Sequence, residues 1–203
     1  MSRTARRSAI RGCVAVAVIA GGILVADSVR IQAKAVVAQV LLRSAWARTE
    51  DPAARVRPWP WADSWPVARL VVERLGVDQI VLAEAGGESL AFGPSHVAGS
   101  AALGEEGISV VGGHRDTHFR WLGRLRIGDR IAVETAGGRV REYRVDGAGV
   151  THLAPAGELV LSVGGASGAL VMVTCYPLDA RPASAGSRYV VTAVPVVSEA
   201  GVS

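Results

Sequence analysis

Three residues of this chain carry side chains suited to acyl transfer, and each lies at one end of a short apolar run typical of a β-strand. Cys175 ends the run at residues 170–174 and is followed two residues later by a proline, which stops strand pairing. His114 follows two valines and two glycines, and Arg188 precedes tyrosine and two valines. A thiolate can attack a carbonyl carbon, an imidazole can transfer protons, and a guanidinium can stabilise an oxyanion. Three strand ends that bring these groups together would form an acyl-transfer site.

Each of these residues also has a simpler structural interpretation. A lone cysteine is often an apolar core residue, a histidine at a strand end can be merely hydrogen-bonded, and an arginine on an edge strand can be solvated. We predict a nucleophile at Cys175 because the domain that contains it is exported and because His114 and Arg188 are available as partners. The second cysteine, Cys13, lies in an N-terminal apolar segment, so the two cysteines should not form an intramolecular disulfide.

The segment around His114 could alternatively hold a metal ion. His114, Asp116 and His118 alternate, so on an extended strand they would face one side, as zinc ligands can. Arg115 and Arg120 bring positive charge into the same segment, and no second group of ligands is apparent. We therefore predict no metal site, and we expect Asp116 to pair with an arginine or to orient a histidine.

The charge of the chain is divided unevenly. Residues 1–48 contain eight Lys or Arg and one acid, whereas residues 49–203 contain fourteen Arg and seventeen acids. The net charge of +4 therefore comes from the N-terminus, and the remainder is slightly acidic. Nucleic-acid binding requires a basic domain surface, so we predict no nucleic-acid partner.

The N-terminal region has the pattern of a membrane anchor. A basic tail, residues 1–11, precedes an uncharged apolar stretch, and a helix over residues 12–29 would be roughly 27 Å long, close to the apolar thickness of a bilayer. The basic tail places the N-terminus in the cytoplasm and the rest of the chain outside the inner membrane. A cleaved signal peptide is the alternative, but residues 36–42 continue apolar and favour an uncleaved anchor. The domain is exported in either case.

Residues 12–48 are interpreted as a transmembrane and juxtamembrane helix, and residues 49–65 as an extended linker. The linker contains several prolines and tryptophans, so we expect its indoles to pack on the domain surface or at the lipid interface. A proline-rich ligand for a partner module is the alternative. Residues 66–203 would then form the folded domain.

That domain has the pattern of an all-β fold. Short strand-like runs occur about every ten residues without intervening helices, which indicates a barrel or sandwich. Residues 137–138 read as a hairpin loop, residues 88–92 as one helical turn, and His96 and His152 as structural or groove residues. The predicted strands are residues 67–72, 77–82, 108–111, 130–134, 139–145, 149–153, 159–163, 169–174 and 189–197.

Taken together, these motifs resemble the sortases, a family of membrane-anchored cysteine transpeptidases. Residues 171–175, VMVTC, resemble the TLxTC-type strand of the family, with Val-Met in place of Thr-Leu. Residues 113–119, GHRDTHF, resemble its histidine segment, and residues 187–191, SRYVV, its arginine segment. The combination looks most like sortases of Gram-negative proteobacteria, near classes C, D and E.

The resemblance implies a closed eight-stranded β-barrel and no cofactor. It also implies that Cys175 attacks a C-terminal LPxTG-like sorting motif of a substrate protein and forms a thioester. Arg188 would stabilise substrate and oxyanion, His114 would act as general acid and base, and an amine acceptor on the cell envelope would release the product. An exported cysteine hydrolase on the same barrel and a non-catalytic, membrane-tethered binding domain are the alternatives.

Overall fold

The computed structural model divides the chain into two compact units, Met1–Val40 and Leu41–Ser203. The residues that it describes are 21–22, 30, 33–49, 51, 54–84, 89–153, 167–179, 182, 184 and 186–196. The anchor predicted at residues 12–29 lies outside this set apart from two glycines. Within the described residues, no helix combines the length and the apolar character needed to cross a membrane.

Within the described part of the second unit, eight strands close into one barrel, so the predicted closed eight-stranded fold is confirmed. The strands are β1 (Pro66–Val72), β2 (Val77–Leu82), β3 (Ser95–His96), β4 (Ser109–Gly112), β5 (Arg130–Thr135), β6 (Val140–His152), β7 (Leu170–Cys175) and β8 (Ser187–Pro195). Their order around the barrel is β1-β2-β3-β4-β7-β8-β6-β5, and β5 pairs with β1 to close it.

The strands form because apolar residues alternate along them. Every second residue of β1 is buried, from Pro66 to Val72, and β5 shows the same alternation. One face of each strand therefore fills the barrel while the other faces outward. β7 differs, since four of its first five residues are buried. It lies between β4 and β8 in the barrel wall.

The interior of the barrel holds the large side chains. Its fully buried members include aromatic and branched residues from several strands and from the turn after β4, namely Leu70, Val81, Val111, Phe119, Leu122, Ile131, Val133, Tyr143, Leu170, Met172 and Val191. Phe119 and Trp121 pack edge to face, with ring centroids 5.6 Å apart. Because Phe119 belongs to this core, the turn that follows β4 is tied to the barrel.

A second, smaller cluster lies outside the barrel wall. Residues 33–47 form a helix, α1, and Leu42 of α1 packs with Ile80 and Leu82 of β2. Trp59 joins this cluster and meets Phe92 of the short helix α2 (Ser89–Phe92) edge to face, with centroids 5.0 Å apart. The expectation that the linker packs its indoles on the domain is thus confirmed for this tryptophan.

The other indoles of the linker differ in their surroundings. Arg55 lies over the ring of Trp65, with its guanidinium carbon 4.7 Å from the ring centroid. Trp61, in contrast, is 78% exposed. The linker is therefore neither uniformly packed nor uniformly solvated.

The strand predictions differ from the structure at two places. The runs predicted at residues 139–145 and 149–153 form one strand, β6, with an irregularity in its pairing to β8 between Val145 and Gly147. The two-residue strand β3 was not predicted, because two residues are too short for a periodic pattern. The hairpin at residues 137–138 is confirmed, and both glycines there have positive φ. The strand predicted at residues 159–163 lies outside the described residues.

Candidate active site

Four strand ends meet at one pole of the barrel. β7 runs parallel to β4 and antiparallel to β8, and β8 is antiparallel to β6. The ends of β4, β6 and β7 and the start of β8 therefore lie at the same edge. Cys175, the last residue of β7, faces Arg188 across the sheet as its Cα partner. The next pair outward on β6 and β8 is His152 with Ser187.

His114 reaches the same pole through the parallel pairing of β4 with β7. Gly112 at the end of β4 is the Cα partner of Val173, and His114 follows two residues later, where the chain leaves the ladder. Two hydrogen bonds hold the chains together beyond the last pair: the Gly113 amide donates to the Val173 carbonyl at 3.2 Å, and the Thr174 hydroxyl donates to the Gly113 carbonyl at 2.7 Å. The structure thus brings the three predicted site residues to one edge.

Gly113 is needed for this approach. A Cβ on Gly113 would lie 2.7 Å from the ring of Phe119, which is too close for any side chain. The chain turns back directly after His114, whose carbonyl accepts the Phe119 amide at 2.9 Å. The buried Phe119 therefore anchors the turn, while His114 itself is exposed at its start.

The candidate nucleophile and the candidate oxyanion donor are both half-buried. Cys175 is a free thiol at the strand end. The guanidinium of Arg188 donates to the carbonyl of Ser187 at 2.9 Å. Within the described residues Arg188 forms no ion pair, so its charge is not neutralised by a carboxylate there. A cation held in this way can interact with a developing negative charge on a ligand.

His118 lies close to His114 on the same turn. Its Nε2 is 3.3 Å from the carbonyl of Ala91 in α2, and its own carbonyl accepts a hydrogen bond from the Gln79 side chain at 3.0 Å. Burial lowers the pKa of His118 below its ordinary value of 6.5, and the charge of the neighbouring His114 lowers it further, whereas the Ala91 contact raises it. His118 is therefore predominantly neutral at pH 7.

The remaining histidines lie in different places. His96 in β3 has its Nε2 2.9 Å from both the Ala101 carbonyl and the Ser100 hydroxyl, which fits the structural role expected for it. His152 lies at the pole of the candidate site, where its Nδ1 shares a hydrogen bond of 3.1 Å with the Ser187 hydroxyl. Its place at the rim fits the expectation of a groove residue.

Metal-ligand geometry is not found around His114. Asp116 pairs with an arginine, as predicted, because Arg115 Nε is 3.0 Å from its carboxylate. Across the described part of the chain, no group of three or more His, Cys, Asp and Glu side chains is arranged to hold a metal ion.

Sequence reasoning did not identify the residues that join the segment after His114 to the segment after Cys175. Arg115 Nη1 donates to the Pro177 carbonyl, and the Leu178 side chain lies against Gly123, where a Cβ would be only 2.5 Å from it. Such contacts have no periodic signal. The one available hint was an arginine directly beside the histidine.

Comparison with known proteins agrees with this geometry. The family model described as a Sortase domain matches residues 70–196, well over half of the chain. No protein with a curated description matches the chain significantly.

Solved structures with the same fold are also sortases. The T196V mutant of sortase E from Streptomyces avermitilis is 29% identical with a TM-score of 0.51, covering 64% of this chain and 87% of that one. The sortase D5 transpeptidase of Clostridium perfringens is 23% identical with a TM-score of 0.52, covering 65% and 79%. Sortase A from Corynebacterium diphtheriae is 21% identical with a TM-score of 0.55, covering 70% and 65%. The chain belongs to the sortase family of cysteine transpeptidases.

Proposed function

We propose that this chain is a membrane-anchored sortase that cleaves a C-terminal LPxTG-like sorting motif and transfers the substrate protein to an amine on the cell envelope. Cys175 is the nucleophile, His114 the general acid and base, and Arg188 the donor that holds substrate and oxyanion. The single observation that supports this proposal is the pairing of Cys175 with Arg188 at the pole where β4, which precedes His114, also ends.

In the first step, the Cys175 thiolate attacks the scissile peptide carbonyl and forms a tetrahedral intermediate. The negative charge develops on the former carbonyl oxygen, where the Arg188 guanidinium can stabilise it because no carboxylate among the described residues competes for it. Collapse of the intermediate breaks the peptide C–N bond, and protonated His114 gives its proton to the departing amine. The products are a thioester on Cys175 and the released C-terminal fragment.

In the second step, an amine attacks the thioester carbonyl. Neutral His114 accepts the proton from the incoming amine, and the C–S bond breaks as the new amide bond forms. The Cys175 thiolate and protonated His114 are thereby restored. Water can replace the amine in this step, and hydrolysis is then the slow side reaction.

The proposed location is the inner membrane, with one span, the N-terminus inside and the catalytic domain in the periplasm or extracytoplasmic space. It is supported by the basic tail and the apolar residues that follow it, since this charge order retains the N-terminus in the cytoplasm. The proposed partners are a substrate protein with a sorting signal, an envelope amine and the membrane. No cofactor takes part in either step.

The test uses the full chain in detergent with a quenched LPxTG-type peptide, with and without a small added amine. Cys175→Ala, His114→Ala and Arg188→Ala are assayed beside it, and exposed Arg120→Ala is the matched control. We expect cleavage that requires all three residues and an amide product that appears only with the amine.

Two other outcomes would support the alternative functions. Cleavage that yields only the acid, whatever the amine concentration, would indicate a hydrolase on the same barrel. An inert peptide together with an unreactive Cys175 thiol in a folded sample would indicate a non-catalytic binding domain.

A further inference from the structure

Arg115 differs from the residues on either side of it in exposure. His114 and Asp116 are exposed, and the Asp116 side chain is 72% accessible, whereas the Arg115 side chain is only 12% accessible. An arginine is rarely so buried without hydrogen-bond partners, because its charge must be compensated. Its position therefore indicates a defined role in the local structure.

Arg115 makes one contact within its own segment and one with the segment that follows Cys175. Its Nη1 donates to the carbonyl of Pro177, two residues beyond Cys175, and its Nε donates to Asp116 at 3.0 Å. The planar guanidinium presents donors in a fixed fork, so the Asp116 contact orients the fork while the Pro177 contact restricts the distance between the two segments. Arg115, the residue directly after His114, is thus joined to the segment that follows Cys175.

The connection lies outside the strand ladder. β4 pairs with β7 only as far as Gly112 and Val173, and the Gly113 hydrogen bonds extend the link by one residue. Beyond that point His114 is no longer held to β7 by sheet pairing, whereas Cys175 stays paired with Arg188. The Arg115 bridge begins where the ladder ends.

We propose that Arg115 is a positioning residue that sets the separation of His114 from Cys175, an inference that rests on the proposed function. Proton transfer and nucleophilic attack require the reacting groups to be held within about 0.5 Å of their working geometry. A displacement of about 1 Å can lower the rate on the order of 100-fold. Arg115 itself touches no reacting atom in this scheme.

The first measurement is steady-state kinetics of the full chain with the LPxTG-type peptide. Arg115→Gln removes the charged fork, Arg115→Lys restores the charge and one donor, and Arg120→Gln is the control on an exposed arginine of the same turn. We expect kcat to fall about tenfold or more in Arg115→Gln with little change in KM, partial recovery in Arg115→Lys and no change in Arg120→Gln. A normal kcat in folded Arg115→Gln protein would overturn the proposal.

The second measurement does not depend on the peptide. Alkylation of Cys175 by iodoacetamide is followed against pH, and mass spectrometry of the modified peptides separates Cys175 from Cys13. If His114 supports the thiolate, His114→Ala shifts the alkylation profile to higher pH. Arg115→Gln should then shift it in the same direction, and the double variant should shift it no further than His114→Ala alone.

The outcomes separate this inference from the proposed function. If His114→Ala and Arg115→Gln both shift the alkylation profile but the peptide is not cleaved, the positioning role of Arg115 stands. The LPxTG-type peptide is then rejected as the substrate. A profile of Arg115→Gln or Arg115→Lys that matches the wild type, with a lower melting temperature alone, would make Arg115 a purely structural residue and overturn the inference. If His114→Ala leaves the alkylation profile unchanged, the inference is overturned as well, because His114 and the Cys175 thiol would then not be coupled.

Discussion

The β1–β2–β5 side of the barrel and the β4–β7–β8 side hold their arginines in opposite ways. Arg69 on β1 binds Asp78 through two hydrogen bonds of 2.8 and 3.0 Å and also reaches Glu134 at 3.2 Å. Hydrogen bonding to Asp78 raises the pKa of Arg69 above its ordinary value. Arg188 on β8 instead donates to the Ser187 carbonyl. On the first side the charge is neutralised by neighbouring strands, and on the second side it remains available to a ligand.

The comparison shows how residues of one type can be assigned different roles. An arginine between two carboxylates stabilises the contact of neighbouring strands. Because the two carboxylates balance its charge, it interacts only weakly with a further anion. An arginine that is half-buried at a strand end, opposite a free thiol, is placed to meet an incoming anionic group.

Cys175→Ala should remove acyl transfer and leave the fold intact. The change deletes the nucleophile, so the rate of peptide cleavage should fall by about 10⁴-fold or more. The side chain is small and only half-buried, so the melting temperature should remain close to that of the wild type. Cleavage at an undiminished rate would move the chemistry away from this pole.

Arg188→Gln and Arg69→Gln form a matched pair across the barrel. Loss of an oxyanion donor typically costs about 10²–10³ in kcat, so Arg188→Gln should lower kcat by that order with little loss of stability. Arg69→Gln should lower the free energy of unfolding by at most about 1 kcal/mol, because its partners are partly solvated, and should leave kcat unchanged. Both variants are compared by peptide kinetics and by urea unfolding. Equal effects on kcat would contradict the different roles assigned to Arg188 and Arg69.

His118→Asn should make the free energy of unfolding less dependent on pH. The pKa of His118 is lowered in the folded state, so the unfolded chain binds this proton more tightly. The contribution of neutral His118 to the free energy of unfolding is therefore complete above about pH 6.5. It is lost as the pH falls from 6.5 toward the pKa of His118 in the folded state. Urea midpoints measured from pH 8 to pH 5 should therefore decline less in the variant than in the wild type. Parallel curves would contradict the assignment of this proton to His118.

Asp78→Asn should affect stability only where the carboxylate is ionised. The hydrogen bonds from Arg69 lower the pKa of Asp78 below 3.8, so its contribution is present above the unfolded pKa and disappears as pH falls through the folded value. The variant should melt slightly below the wild type at pH 7, and the two should converge in acid below pH 3.8. A difference that persists at low pH would mean that the side-chain shape rather than the ion pair matters.

The strands and the three candidate residues could be predicted from sequence for different reasons. Alternating burial in β1 and β5 gives a periodic signal, and Cys175, His114 and Arg188 each stand at the end of such a run. The runs at residues 139–145 and 149–153 were predicted as separate strands, whereas β8 pairs with β6 on both sides of the irregularity between Val145 and Gly147. Pairing with a distant strand there joined two runs that local pattern had kept apart.

The contacts that hold the site together could not be predicted in this way. The Thr174 hydroxyl bond to Gly113 and the Arg115 bond to Pro177 join residues about sixty positions apart. Neither residue type nor spacing encodes such a partner, because it depends on the parallel register of β4 and β7. The clash with Phe119 of any side chain placed at position 113 could not be predicted either, because it follows from the closed barrel.

The most direct test of the account is intact-mass analysis of the full chain incubated with an LPxTG-type peptide. We expect an adduct with the mass of the cleaved acyl fragment on Cys175, absent in Cys175→Ala, reduced in Arg188→Gln and discharged to an amide product when a small amine is added. Cleavage without any adduct on Cys175, or an adduct that the amine does not discharge, would contradict the transpeptidase mechanism.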